Sequence, residues 1–312
     1  MSNLTHQQQD TRDTAGAPLG AVTAPPVVSG SPEEIADGVF VVPDRRVPFV
    51  PNIGVIVGQR AALVIDTGLG PRSGSVVHQI AKELAGDRPL FLTLTHFHPE
   101  HGFGAQAFGD AAIIYNRLQH EEFREKAAGF LEMFGRMGDL AARELDGVEL
   151  VEPHVVYDEA ADIDLGGKLV QLRNRGPAHT RGDQSIFLPK ERILFTGDLV
   201  ENRASAISPL SPPNDIDVDG SRWISVIQEL HRLDARIVVP GHGPRGNNSL
   251  LALTNEYLRW LRSQTKRLAG EGNDADAIIA ELERQIRAHY SDWDAFETGR
   301  VGYEIRSFLA GA

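Results

Sequence analysis

From Gly38 onward the chain alternates short apolar runs with polar, glycine-marked breaks. Val39–Val42, Ile53–Val57 and Ala61–Ile65 are rich in β-branched residues and predict strands, with Gly58-Gln-Arg60 as a hairpin turn between the last two. Val76–Leu84 has apolar residues at helical spacing, Phe91–Thr95 predicts the next strand, Gly102–Phe108 the start of a helix, and Ile113–Tyr115 a further strand. Between 117 and 146, Phe123, Ala127, Phe130, Phe134, Met137 and Ala141 recur at helical spacing with Glu and Arg opposite. A second strand series follows: Val148–Val151, Ala161–Leu165, Lys168–Leu172, Ser185–Leu188 and Arg192–Phe195. An irregular loop, Val200–Asp219, contains Pro209, Pro212 and Pro213; the helix Ile224–Leu233 and the strand Ile237–Val239 come next. Leu250–Leu268, Ala275–Tyr290 and Val301–Leu309 predict C-terminal helices. Residues 1–34 are rich in Gln, Thr, Ala, Gly and Pro without an apolar period and predict a flexible arm. The expected organisation is therefore one domain over 35–312, with a helical insertion at 117–146 and a C-terminal helical extension at 247–312. Periodicity alone supports mixed α and β and nothing finer.

The predicted strand Phe91–Thr95 runs into His96-Phe-His-Pro-Glu-His101, a cluster of ligand-type side chains. Alternate residues of an extended segment share a face, so His96 and His98 can point at one ion. Pro99 cannot donate to a sheet ladder and ends the strand, which lets Glu100 and His101 turn toward a second position. Downstream, His179, Asp198 and His242 each lie beside Gly or Pro near the end of an apolar run. Imidazoles and carboxylates are the ligands of zinc-like ions. His6, His78, His120, His154, His231 and His289 lack ligand-type neighbours and read as structural.

Ile65-Asp-Thr-Gly68, Thr95-His-Phe-His-Pro-Glu-His101, His179, Thr196-Gly-Asp198 and Gly241-His-Gly243 together resemble the metallo-β-lactamase superfamily, in particular its glyoxalase II-like branch. The resemblance implies a four-layer αββα sandwich of two mixed sheets flanked by helices. It implies a first metal held by His96, His98 and His179, and a second by His101 and His242, with Asp198 bridging and Asp66 orienting the site from behind. Where the family motif has Asp, this chain has Glu100, one methylene longer. Glu100 is expected either to ligate the second ion or to act as a general acid/base. The implied cofactor is a pair of zinc ions, with iron or manganese as alternatives.

Composition narrows the chemistry. Lys+Arg 31 against Asp+Glu 43 gives a net charge of −12 with no basic run, which disfavours a nucleic-acid substrate. The absence of cysteine excludes disulfides, thiol catalysis and thiolate ligands. No run approaches the roughly 18 apolar residues of a membrane span. Without a basic, apolar leader, a cytoplasmic location is expected; a homodimer is compatible with all of this.

Two cations about 3.5–4 Å apart share a bridging water and lower its pKa from about 15.7 toward 7. Asp198, and Glu100 if placed nearby, can orient the hydroxide or carry its proton to the leaving group. The expected activity is hydrolysis of an ester, lactone or thioester bond in a partly apolar small molecule. Phe49, Phe97, Phe103, Phe130, Phe134 and Met137, with Met133, are the expected apolar contacts. The segment 117–146 reads either as a substrate lid or as an amphipathic helix packed on the core. Two alternatives share the ligand set: β-lactam hydrolysis, and a mononuclear iron sulfur dioxygenase using His96, His179 and Asp198.

Overall fold

A computed structural model describes residues 24–203, 217–291, 293 and 301–310. The first half builds a sheet of β1 (Glu33–Ala36), β2 (Val39–Val42), β3 (Ile53–Val57), β4 (Ala62–Ile65), β5 (Leu90–Thr93), β6 (Ala112–Asn116) and β7 (Val155–Tyr157), in that spatial order. Pairing is antiparallel up to β4 and parallel from β4 to β7. Parallel neighbours need crossovers. These are α1 (Gly70–Ala85), then α2 (Pro99–Gly102) with a 3-10 turn at Ala105–Phe108, then α3 (Arg117–Gly135) with α4 (Asp139–Glu144).

The second sheet contains β8 (Ala160–Asp164), β9 (Leu169–Asn174), β10 (Gln184–Leu188), β11 (Ile193–Glu201) and β12 (Ile237–His242). It is antiparallel through β11 and ends in a parallel β11–β12 pair joined by α5 (Gly220–His231). Helices α6 (Asn248–Gly270), α7 (Ala275–His289) and α8 (Gly302–Ala310) complete the described chain.

The layering follows from side-chain alternation, because successive residues of a strand face opposite sides. Ile56, Leu63 and Ile65 enter the same core as Ile193, Phe195 and Val239, so the two sheets pack face to face. Their neighbours Val55 and Val64 point the other way, toward Val77 of α1 and Phe130 of α3. Leu194 and Val238 likewise turn to Trp223 of α5 and Leu258 of α6. Strands covered on both faces must be apolar at nearly every position, as β4 is. The expected αββα sandwich is what this chain forms.

Several sequence expectations are corrected in detail. The arm predicted over 1–34 does not extend that far: Val28 is buried and donates its backbone N–H to Ser73 Oγ at 3.1 Å, and β1 begins at Glu33. Residues 1–23 lie outside the described chain. Val148–Val151 is not a strand, because Val155 takes the edge position opposite Ile114; Val148 and Val151 instead pack on the core beneath α1 and α3. Gly102–Phe108 ends α2 and forms a single 3-10 turn. The loop Val200–Asp219 gives its first two residues to β11, and residues 204–216 lie outside the described chain.

The insertion at 117–146 is helical as expected, but its aromatic stripe faces inward. Phe130 and Phe134 are fully buried. Phe134 meets Phe49 edge-on at 5.2 Å, and Phe97 contacts Phe103, Phe123 and Phe130 at 5.3–6.3 Å. Phe134→Ala should therefore lower unfolding free energy by about 3–5 kcal/mol in chemical denaturation. Metal content per folded chain should be unchanged.

Candidate metal centre

Each ligand-type residue sits where the backbone leaves regular structure at one end of the sandwich. Strand β5 ends at Thr93, two residues earlier than the sequence pattern suggests, so His96 lies in a bend rather than in the strand. His98 is extended (φ −115°, ψ 156°) and precedes α2, with Pro99 in that helix's first turn. Proline suits this position because its missing N–H would have no helical partner there. Pro99 thus starts a helix as well as ending the extended run, and α2 carries Glu100 and His101 away from the direction of His98. His242 is the last residue of β12, and His179 lies in the connection between β9 and β10.

Asp198 lies inside β11, where pairing with β12 shifts register on both sides of Gly197. Irregularities of this kind re-aim a side chain. Gly197 has φ +52°, and a Cβ there would stand 2.4 Å from Cβ of Thr95. A Cβ on Gly241 would stand 1.8 Å from Asp198 Oδ1. These two glycines let the carboxylate approach the histidines across the strand ends.

The result is two groups of four. Ligand atoms of His96, His98, His179 and Asp198 all lie within 4.8 Å of one another, and so do those of Glu100, His101, Asp198 and His242. Asp198 belongs to both. Its carboxylate oxygens stand 3.8 Å from His96 Nε2, 3.5 Å from His101 Nε2 and 3.7 Å from His242 Nε2. These separations are too long for hydrogen bonds. Nε2 of His96 and of His101, Oε2 of Glu100 and Oδ1 of Asp198 are buried without a hydrogen-bond partner. Donor atoms left unsatisfied and facing a common point fit metal ions, for which a buried polar group is otherwise expensive.

Asp66 organises this centre from behind, at a backbone position with φ +65°. Oδ1 accepts the Thr95 N–H at 2.7 Å, while Oδ2 accepts the Thr95 hydroxyl at 2.9 Å. Oδ2 also lies 3.0 Å from His101 Nδ1. A proton on Nδ1 that donates to Asp66 leaves Nε2 as the free lone pair. His242 is set the same way, with Nδ1 at 3.0 Å from the Val50 carbonyl. Burial raises the Asp198 carboxyl, but His242, His101 and His96 outweigh it and hold the group well below the usual carboxylate range. Burial lowers His101, yet Asp198 and Asp66 carry it well above the ordinary imidazole value, so a metal at this position would have to displace the proton on Nε2. Burial and the neighbouring His101 and His98 push His96 far down, into the neutral form that ligation needs.

The structure also shows supports that the sequence pattern did not single out. Asp183 accepts the Thr180 N–H at 2.9 Å and its hydroxyl at 2.8 Å, closing the turn that presents His179. The ring of buried Trp223 stands 5.5 Å from His179. Asn52 donates to the carbonyls of Pro240 and Gly243 at 2.9 and 2.8 Å, bracketing His242. On α3, the buried carboxylate of Glu122 accepts the N–H of Gly182 at 2.7 Å and pairs with Lys126 at 2.7 Å. Lys126 also reaches Asp217 at 2.9 Å. An Asp four residues after His179 was the one signal in the sequence; the other partners are distant along the chain.

The expected apolar contacts fare differently. Phe97, Phe103, Phe130 and Phe134 have almost no exposed surface and belong to the core. Phe130 meets His98 edge-on at 5.7 Å, so it backs the ligand rather than lining an opening. The rim expected from these four is therefore corrected to a supporting wall. Met133, Met137 and Phe49 are half-buried against the same core. Three of the histidines set aside as structural have partners: His78 with Asp110, His120 with Glu152, and His154 accepting the Ile113 N–H, while His6 lies outside the described residues.

Asp66→Asn should weaken metal binding about 10–100-fold in chelator competition, the usual effect of losing a carboxylate behind a ligating histidine. The amide can offer only one oxygen where the carboxylate serves Thr95 and His101 together. Folding should persist, since the change is isosteric.

Comparison with known proteins places this geometry. The family model described as metallo-beta-lactamase superfamily matches residues 46–242. Human acyl-coenzyme A thioesterase MBLAC2 is 28% identical over 249 residues, covering 72% of this chain and 86% of that protein. The alpha subunit of a 2,4-dinitroanisole O-demethylase from a Nocardioides species is 27% identical, covering 69% of this chain and 56% of its own length. Among solved structures, a metallo-beta-lactamase from Pontibacter korlensis superposes with TM-score 0.56 at 23% identity, covering 73% of this chain and 98% of that one. A sec-alkylsulfatase from a Pseudomonas species gives 0.68 at 15% identity, covering 90% of this chain and 50% of that one, and so shares the fold. With the family model spanning more than half its length and the buried His/Asp cluster in place, the chain belongs to the metallo-beta-lactamase superfamily and is a metal-dependent hydrolase.

Proposed function

We propose that this enzyme hydrolyses a thioester or ester of a small molecule, using two metal ions, zinc in the first instance. The observation that carries the two-ion reading is the pair of four-residue ligand groups sharing Asp198. His96, His98 and His179 would hold one ion, Glu100, His101 and His242 the other, with Asp198 between them. The thioester preference is supported by the similarity to the acyl-coenzyme A thioesterase MBLAC2. Bound together, such ions polarise a carbonyl and acidify water near neutral pH.

The chain's own residues account for the rest. Asp198, held ionised by three imidazoles, offers a fixed hydrogen-bond acceptor that would orient the attacking water. Glu100 is 6% exposed and lies in the second group, so its longer side chain brings a carboxylate to the cluster despite the extra methylene. Asp66 and the Val50 carbonyl keep His101 and His242 in one tautomer, so no reorientation accompanies turnover. The buried wall of Phe97 and Phe130 excludes water behind His98 and strengthens every charge interaction in front of it.

His179→Ala and His242→Ala should each lose one ion per chain and nearly all activity, and should empty different positions. Metal analysis after purification without added metal, followed by a thioester and ester screen, tests this. Identical residual stoichiometry and the same occupied site in both variants would contradict the assignment. One iron per chain without hydrolysis would favour the sulfur dioxygenase reading.

Glu100→Gln should weaken the second ion, because a neutral amide replaces an anionic ligand. Glu100→Asp should retain it better while losing rate, since a displacement of about 1 Å can cost on the order of 10²-fold. Full occupancy at unchanged affinity in the Gln variant would make Glu100 a proton carrier instead.

A further inference from the structure

The first group of ligand-type residues draws on both sheets. His96 and His98 follow β5 of the first sheet, while His179 and Asp198 belong to the second. Whatever fixes the 179–183 turn against the first sheet therefore also fixes the spacing of donor atoms that the chain delivers separately.

The first two turns of α3 provide that hold. Asn116 is the last residue of β6 and the N-cap of α3, and it is fully buried. Its Oδ1 accepts the Gln119 N–H at 2.9 Å, as a cap does, while its Nδ2 donates to the Gly182 carbonyl at 2.8 Å. Six residues on, Glu122 is equally buried. Its Oε2 accepts the Gly182 N–H at 2.7 Å, and its Oε1 the Arg181 N–H at 3.3 Å. Both hydrogen-bonding groups of Gly182 are taken by side chains of one helical segment, one as donor and one as acceptor. The contact leaves no room for a side chain, since a Cβ on Gly182 would stand 2.4 Å from Cα of Gln119.

Other bonds shape the turn or anchor its end. Asp183 closes it from within through Thr180, and Gln184 donates its N–H to the Thr95 carbonyl at 2.8 Å. Asn116 and Glu122 hold its middle, three residues from His179. The second ligand group is supported elsewhere: Asp66 orients His101, and the Val50 carbonyl orients His242.

We propose that Asn116 and Glu122 are positioning residues for His179, and that their grip on Gly182 sets the affinity of the ion held by His96, His98 and His179 without altering the other. The inference rests on the ligand assignment proposed above and adds the residues that tune one position against the other.

Two isosteric changes in the whole chain test it. Asn116→Asp keeps the cap oxygen for Gln119, and so the helix, but turns an acceptor toward the Gly182 carbonyl. Glu122→Gln replaces a charged acceptor of two N–H groups by an amide with a single accepting oxygen. The probe is cobalt(II) titrated into metal-free protein and read by visible absorption, with His179→Ala and His242→Ala assigning each binding step to a position. Each change should weaken the first position about tenfold, the lower end of what the outer partners of a ligand contribute, and leave the second at its wild-type affinity. A role in stability alone would lower the thermal midpoint and weaken both positions together. That result, or wild-type affinity at the first position in either variant, would overturn the proposal; if Glu122→Gln does not fold, Asn116→Asp decides. If His179→Ala still binds two ions, the ligand assignment fails and the inference with it. If His179→Ala loses one ion while the two variants bind as the wild type does, the role of the grip is refuted and the ligand assignment stands.

Discussion

The buried carboxylate of Asp198 is the constraint around which the rest of this molecule is arranged. An anion taken out of water is stable only if paired, and Asp198 is surrounded by three imidazoles from two separate parts of the chain. Bringing it there requires a register shift in β11 and two glycines, Gly197 and Gly241, at points where any side chain would collide. The sandwich supplies the rest of the geometry, because both parallel regions end on the same side and release their loops toward one point. Ligands gather at the carboxyl ends of strands here as they do in open parallel sheets.

Rigidity is built in successive rings. Asp66 fixes Thr95 and His101; Asp183 closes the His179 turn; Asn52 brackets His242. Glu122 ties α3 to the His179 turn, so the helix read from sequence as a lid is instead joined to that loop by a buried hydrogen bond. Because these rings share residues, damage to one should be felt in another, which is the expected behaviour of coupled buried networks. Preorganisation of this kind favours catalysis, since donor atoms need not rearrange when charge develops.

The two candidate ligand groups lie at the strand ends and loops of the two sheets, while the C-terminal helices α6 and α7 enclose a separate aromatic space next to β11. Relatives that are named for thioester cleavage, O-demethylation, β-lactam opening and sulfate-ester cleavage are all similar to this chain.

The residues that form the two candidate metal-binding groups were legible in the sequence because their types are rare together and each stands near a glycine or proline break beside an apolar run. Strand positions were legible for the same local reason, down to the turn at Gly58-Gln-Arg60, where Gly58 donates to Ala61 as a hairpin requires. What failed were inferences needing the third dimension. The stripe of Phe130 and Phe134 shows the same helical spacing whether it faces a substrate or a core, and only the neighbouring Phe49 and Phe97 decided for the core. Val148–Val151 had strand composition, but a strand needs an unpaired edge, and Val155 occupied it. Glu122, Asn52 and Trp223 act across 60 or more residues of sequence or through one ring contact, leaving no local pattern. Sequence determined which atoms could bind metal; tertiary packing decided which of them meet, because contact at a distance depends on closure of the whole sandwich.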